Sequence, residues 1–409
     1  MREALVETHV VVPAGIDDPT RPSGGNRYDR RVIDELTGLG RVVHEHRVAD
    51  LDGVLSLLSD LPDGAVVVVD GLLVCFAPGG DLLDVKQGNP PVPLHDVKQG
   101  NPPVTLHDVK QGNPPVTLHD VRQAAWAAAC ERLRLVVLLH MPFAEAHPEE
   151  SVRRRERAVL TAAAGVVTTS EWAWTWVVRN HGVAPERVHV VTPGADPAAS
   201  AKPTSAGKRL LCLGAVTLAK GHDTLLTALA EIADLDWQCT LVGALDLEPD
   251  YVVGLQEIAL RSGIADRVVF TGPLADVGLD AALGDADLLV SASRRESYGM
   301  AVTEALARAV PVVITDVGGH AEALGVLDDG SRAGVLLPPD DPDQLATALR
   351  RWLEDPAERD RLRSTAAQRR NTLGSWTDTA RRLADVVDRA SVNHGNARPV
   401  SPDTTSAPR

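Results

Sequence analysis

The 409-residue sequence predicts an α/β protein of two doubly wound, Rossmann-like domains facing an interdomain cleft. Three observations predict it. Short β-branched runs bounded by Gly, Pro or Asp alternate with amphipathic helical patterns, which is the order of parallel sheets covered by helices on both faces. The runs fall into two series. Between the series, Pro193–Gly207 is rich in Pro, Ala, Ser and Gly without apolar periodicity, the composition of a linker.

In chain order, the first series is His9–Val12, Arg41–Arg47, Ala65–Val69, Leu133–Leu139, Gly165–Thr168 and Val188–Val191. It defines a first domain over 1–193, followed by a linker over 194–207. The second series is Arg209–Leu213, Gln238–Val242, Val268–Thr271, Leu288–Ala292, Val310–Thr315 and Gly334–Leu336, within a domain over 208–375. The intervening helices are amphipathic; Thr224–Ala233 sets Leu225, Leu226, Leu229 and Ile232 on one face. After Pro356 three helical stretches are expected, the last a C-terminal helix over 376–391. The Ser-, Pro- and Thr-bearing tail 392–409 is expected to be disordered.

One segment breaks this order. Residues 84–119 hold three copies of a 12-residue unit, DVKQGNPPVPLH and then twice DVKQGNPPVTLH. Adjacent prolines remove two backbone donors and bar helix at the preceding Asn, so each unit reads as turn plus polyproline-like extension. Removing the three copies joins Leu82-Leu83 to a helical run from Asp120, so the repeats read as an expansion within a loop. A weak proline-rich docking site and a His95/His107/His119 metal array are the alternatives.

Charge and composition narrow the function. With 41 basic against 56 acidic residues the net charge is −15, which argues against a nucleic-acid partner. The four cysteines are scattered without a CxxC pair, so neither a zinc cage nor a disulfide framework is indicated. No apolar run reaches the ~20 residues of a membrane helix, and the first residues carry acids where a leader would be apolar. A cytoplasmic enzyme without stable membrane insertion is the expectation. Arg153-Arg154-Arg155 reads as a solvated helix face, with a face toward acidic lipid headgroups as the alternative.

Candidate chemistry lies where strands end. Ser23-Gly24-Gly25 closes the loop after the first strand, where a backbone could approach a phosphate at a helix N-terminus. The spacing is not GxGxxG, so the dinucleotide fingerprint is missing. His140 directly follows the Leu135–Leu139 run, while His44 and His46 alternate within a strand, lack an HExxH helix and read as structural. Trp172, Trp174 and Trp176 are read as packing, with interdomain packing open. In the second domain Lys220-Gly221 precedes a helix, a setting suited to a diphosphate. Glu296 lies in a loop after a strand, and Glu304 lies about two turns into the next helix. Between them the amides of Tyr298, Gly299 and Met300 face the cleft, and carboxylates accept from sugar hydroxyls.

The ordered set Lys220-Gly221, Glu296-Ser297-Tyr298-Gly299-Met300, Glu304 and Gly318-Gly319 resembles the donor half of family 4 retaining glycosyltransferases of GT-B fold. Gly24-Gly25, His140 and Thr169-Ser170-Glu171 fit that family's first half. The resemblance implies transfer of a hexose from a UDP- or GDP-linked sugar to an acceptor hydroxyl with the anomeric configuration kept. It makes His140, Lys220 and Glu296 catalytic. Donor binding falls to Gly24, Gly25, Lys220, Gly221, Glu296, Tyr298, Gly299, Met300 and Glu304, with Glu296 on the hexose, Glu304 on the ribose and His140 near the C6 hydroxyl. No metal ligand set and no cofactor beyond the nucleotide-sugar co-substrate is expected. Ala215 stands where the family usually places an arginine, which leaves Arg27, Arg294 or Arg295 to compensate. A catalytically inactive homologue acting as a binding module is the alternative reading.

Overall fold

The computed structural model describes residues 6–75 and 118–392. The repeat insertion over 84–119 lies outside the described residues but for its last two positions, and the expected tail lies outside them beyond Val392. The first domain runs β1 (Thr8–Pro13), α1 (Gly24–Gly38), β2 (Val43–Val48), α2 (Leu51–Asp60), β3 (Val66–Asp70), α3 (Gly71–Cys75), α4 (Leu118–Arg132), β4 (Arg134–Leu139), α5 (Phe143–Ala146), α6 (Glu150–Ala162), β5 (Gly165–Thr168), α7 (Glu171–His181) and β6 (Val188–Val190). The second runs β7 (Arg209–Leu213), α8 (His222–Glu231), β8 (Gln238–Val242), α9 (Pro249–Arg261), β9 (Val268–Gly272), α10 (Asp276–Asp285), β10 (Leu288–Ser291), α11 (Met300–Ala307), β11 (Val312–Thr315), α12 (His320–Leu324), β12 (Gly334–Leu337), α13 (Pro342–Glu354) and α14 (Pro356–Arg370). A last helix, α15 (Trp376–Val392), closes the described chain. Each predicted strand is present, with ends shifted by at most two residues. After Pro356 the structure has two helices rather than three, because α14 continues unbroken to Arg370.

Both sheets are parallel throughout, with orders β2-β1-β3-β4-β5-β6 and β9-β8-β7-β10-β11-β12. Strands such as Val66–Asp70 and Arg134–Leu139 are buried along almost their whole length, as strands covered on both faces must be. The first order reverses direction between β1 and β3, and the second between β7 and β10. A crevice opens beyond the carboxyl ends of strands at such reversals, and it is there that open α/β sheets bind ligands. The loops after β1, β3, β7 and β10 are therefore the ones to inspect.

Two stretches join the domains, the linker before β7 and the segment between α14 and α15. α15 returns to the first domain and seats Trp376, Leu383, Val386 and Val387 in the same core as Tyr28, Val32 and Leu36 of α1. Thr379 donates to the Thr192 carbonyl at 2.9 Å, and Arg41 reaches Asp388 at 2.6 Å. Burying each of these apolar side chains contributes about 1.5–3 kcal/mol. Trp174 and Trp176 pack against the core of the first domain and not between domains, since α7 turns them toward β6 and His181.

Candidate active site

β7 ends at Leu213, and the chain crosses the switch point through a short 3-10 turn, Leu218–Lys220, into α8. Gly221 links turn and helix with φ +64°, and a Cβ there would overlap the Ala292 carbonyl after β10. Only glycine meets both demands, so Lys220 is delivered to the loop of the neighbouring strand. There its ammonium pairs with the Glu296 carboxylate. Ser293 Oγ lies 3.5 Å and His320 Nε2 3.9 Å from the same carboxylate oxygen. Burial pushes the Glu296 carboxyl up, but the charges of Lys220 and His320 outweigh it and hold it below the ordinary value. A second glycine, Gly318 at φ +54°, lets the loop after β11 abut the Glu296 carbonyl, which also accepts from the Gly319 amide at 3.2 Å.

α11 starts beside this pair. Gly299 caps it at φ +103°, and its first amides have no intrahelical acceptors, so the helix presents partial positive charge to the cleft. Met300 opens the helix; the Tyr298 side chain, by contrast, is buried in the core beneath, leaving only its backbone to serve a ligand. Glu304 sits one turn further on, not the two turns expected, because the segment from Glu296 to Gly299 is loop and α11 begins only at Met300. Its carboxylate is taken by Arg27 of α1, at 2.5 Å, and Arg27 also reaches Asp196 of the linker at 3.0 Å. Burial raises the Glu304 carboxyl against the opposing pull of Arg27 and Arg308.

The first domain supplies the facing wall. Gly24 and Gly25 are not a loop before the helix, as the sequence suggested: Ser23 caps α1 by accepting from the Asn26 amide at 3.0 Å, and both glycines form its first turn. Their missing side chains allow close approach, for a Cβ on Gly24 would stand 3.6 Å from Met300 Sδ and one on Gly25 3.1 Å from the His140 ring. The N-termini of α1 and α11 thus meet across the cleft. His140, at the end of β4, holds Asp29 Oδ1 through Nε2 at 2.9 Å, and its carbonyl accepts from Thr169 at 3.2 Å. Asp70, at the end of β3, brings a second buried carboxyl within 4.8 Å of both. Burial disfavours the charged imidazole, yet the Asp29 charge, the bond to it and the Asp70 charge raise His140 to about 9. Burial and the neighbouring Asp29 raise the Asp70 carboxyl in turn.

The structure brings Lys220, Gly221, Glu296, Gly299, Met300 and Glu304 to one wall and Gly24, Gly25 and His140 to the other. It also adds residues not singled out as site residues from sequence: Asp29, Asp70, Asp196 and His320. Asp29 was legible only as the residue one helical turn after Gly25, and Asp70 only as an acid ending a strand. Of the three arginines expected to replace the one missing at Ala215, Arg294 is gripped by both Asp223 oxygens at 2.8 Å and by Asp340 at 2.6 Å. Arg295 lies 3.7 Å from Glu145 of the first domain, and Arg27 alone touches a predicted donor residue. An Asp-x-Asp does follow a strand, Asp341-Pro342-Asp343 after β12, but Asp341 is spent capping α13 on the Gln344 amide at 2.9 Å.

With a lysine, two carboxylates and two helix N-termini converging at paired switch points, the comparison with known proteins is direct. Residues 198–369 match the family Glycosyl transferases group 1. The matched stretch includes Lys220, Gly221, Glu296, Glu304 and His320. Among curated relatives, D-inositol 3-phosphate glycosyltransferase 1 of Catenulispora acidiphila is 33% identical over 268 residues, covering 60% of this chain and 61% of that protein. Mannosylfructose-phosphate synthase of Agrobacterium fabrum is 26% identical over 241 residues, covering 54% of this chain and 52% of that protein. The chain thus spans less than two thirds of the length of the relatives it matches. In three dimensions, sucrose-phosphate synthase of Thermosynechococcus elongatus superposes with a TM-score of 0.68 at 17% identity, over 94% of this chain and 98% of that one. HepE of Anabaena, solved in complex with UDP-glucose, gives 0.68 at 17% identity, over 94% and 100%. The fold is that of GT-B glycosyltransferases.

Proposed function

We propose that the protein is a retaining, metal-independent glycosyltransferase that moves a hexose from a UDP- or GDP-linked sugar to an acceptor hydroxyl. The observation that carries this reading is the Lys220–Glu296 pair at the switch point of the second sheet, with Glu304 lying beyond it on α11. Lys220 and the N-termini of α8 and α11 would stabilise the charge that develops on the leaving diphosphate, in place of a metal ion. Glu296, kept anionic, would accept from hexose hydroxyls, and Glu304 from the ribose once Arg27 releases it. His140, charged at neutral pH, would donate to the sugar from the opposite wall. Holding donor and acceptor between these walls is itself a large part of the catalysis. Similar structures solved with UDP and UDP-glucose make UDP-sugars the first donors to try. None of the described helices is long and apolar enough to cross a membrane.

Ala215 favours a second reading, a catalytically inactive interaction module whose donor site no longer holds a nucleotide sugar, because the diphosphate has one cation fewer; a charge-assisted contact contributes about 1.5–3 kcal/mol. A calorimetric panel of UDP- and GDP-sugars against wild type and Glu304→Ala separates the two. The transferase reading expects one donor to bind and to lose affinity in the variant. Absence of binding by every nucleotide sugar would overturn it in favour of the non-catalytic module.

A further inference from the structure

We propose that His9, His44 and His46 form a transition-metal site of the zinc class on the outer edge of the first sheet. The site is independent of the cleft. β2 is the edge strand of its sheet, and β1 and β2 pair in parallel with His9 opposite His44. Residues two apart on a strand, and direct partners on neighbouring strands, point to one face. The three imidazoles therefore share a face, His9 and His44 near the amino ends of their strands and His46 at mid-strand, away from the loops beyond the carboxyl ends where the candidate active site lies.

The His9 and His46 nitrogens already meet, and the His44 ring lies alongside. The His9 ring lies between the other two, with centroids 4.8 Å from His44 and 5.2 Å from His46, at interplanar angles of 23° and 22°. His9 Nδ1 and His46 Nε2 are 2.9 Å apart. Two imidazole nitrogens at that distance must have a proton between them, or an ion. Nitrogens bound to one tetrahedral zinc at ~2.0–2.1 Å stand about 3.3 Å apart, so a small opening of this pair admits the metal. His44 Nε2 lies 3.6 Å from a carboxylate oxygen of Glu7, and both side chains are exposed. Rotation of these two brings a third imidazole and a carboxylate or water to complete four ligands. Three imidazoles with an oxygen ligand suit Zn²⁺, Ni²⁺ or Cu²⁺ and not Mg²⁺ or Ca²⁺.

Among the described residues the group whose ligand atoms already lie within 4.8 Å of one another is Asp29, Asp70 and His140, whereas the histidine site needs side-chain rotation, and the test must tell the two apart. The metal-free full-length chain, with His95, His107 and His119 replaced by Asn, is titrated with ZnCl₂ by calorimetry and with CoCl₂ by visible absorption. One Zn²⁺ per chain is expected, with nitrogen-ligated tetrahedral Co²⁺ bands. His46→Asn and His44→Asn are each expected to weaken Zn²⁺ at least about tenfold. His44 is 44% exposed, so its replacement leaves the fold intact even where that of His46 does not, and circular dichroism checks both. No saturable binding, or binding unchanged in both variants, overturns the site. Binding lost only in Asp29→Asn would put the ion in the cleft and overturn it equally.

Discussion

Lys220 and Glu296 neutralise each other in the described structure, and this is the central fact at the residue scale. A diphosphate would draw the ammonium away, leaving Glu296 to hydroxyls, so both groups are poised and neither is spent on the fold. Lys220→Ala is expected to lower kcat/KM for the bound donor by about 10²-fold or more, as loss of a preorganised charge at a leaving group does; Lys220→Arg would keep part of it. Steady-state kinetics on the donor found by calorimetry checks this. His140 offers a pH test. Its pKa rises from 6.5 to about 9 on folding, so its pairing adds stability that is complete below 6.5 and lost as pH climbs toward 9. Asp70 acts in the same direction at lower pH, because a carboxyl raised by burial from 3.8 to about 7 also favours the proton-bound fold over that range. The melting temperature should therefore fall between pH 6.5 and 9, and Asp29→Asn should flatten that decline. A flat profile in the wild type would contradict the charged His140.

Elements matter here through how they begin. α8 starts from a left-handed Gly221 against the Ala292 carbonyl, and α11 from Gly299, so both helix N-termini reach the cleft only because a glycine precedes them. Gly221→Ala combines a positive φ with a steric overlap, and a cost of at least about 2 kcal/mol is expected. Denaturant unfolding measures it. Donor affinity should fall as well, since relief of the overlap moves Lys220. α1 begins differently, with Ser23 capping and two glycines inside the first turn. The two glycines leave that helix end flat against His140 and Met300.

Across the whole molecule the chain visits the domains in the order first, second, first. α15 completes the core of the first domain from the far end of the sequence, with Trp376 edge-on to Tyr28 at 5.7 Å, and Tyr28 in turn edge-on to His140 at 5.3 Å. Trp376→Ala is expected to cost about 3–5 kcal/mol. Because Tyr28 lies between Trp376 and His140, the variant should also blur the His140 titration followed by NMR. A variant as stable as the wild type would mean that α15 is ornamental. The domains further meet through Arg27 on Glu304 and through Glu322, whose carboxylate accepts from the Glu171 and Trp172 amides at 2.8 Å each.

The strands of the described residues and their parallel pairing were legible because burial on both faces forces uninterrupted β-branched runs; the glycines at helix starts were legible too, except that Gly24 and Gly25 lie in the first turn of α1 and not in a loop before it. The positions of Lys220 and Glu296 were legible for the same reason, each lying in the connection between a strand and the next helix, while Glu304 falls one turn into α11 and not two. Sequence could not show that Lys220 and Glu296 pair, since 76 residues separate them. Nor could it show that Arg27 covers Glu304, that Asp29 and Asp70 grip His140, or that His9 stacks between two histidines of the next strand. Those contacts depend on strand order and on how the two domains close, which arise from packing between distant segments. Local sequence determined which residues end strands and begin helices; only the tertiary structure decided which of those ends face one another.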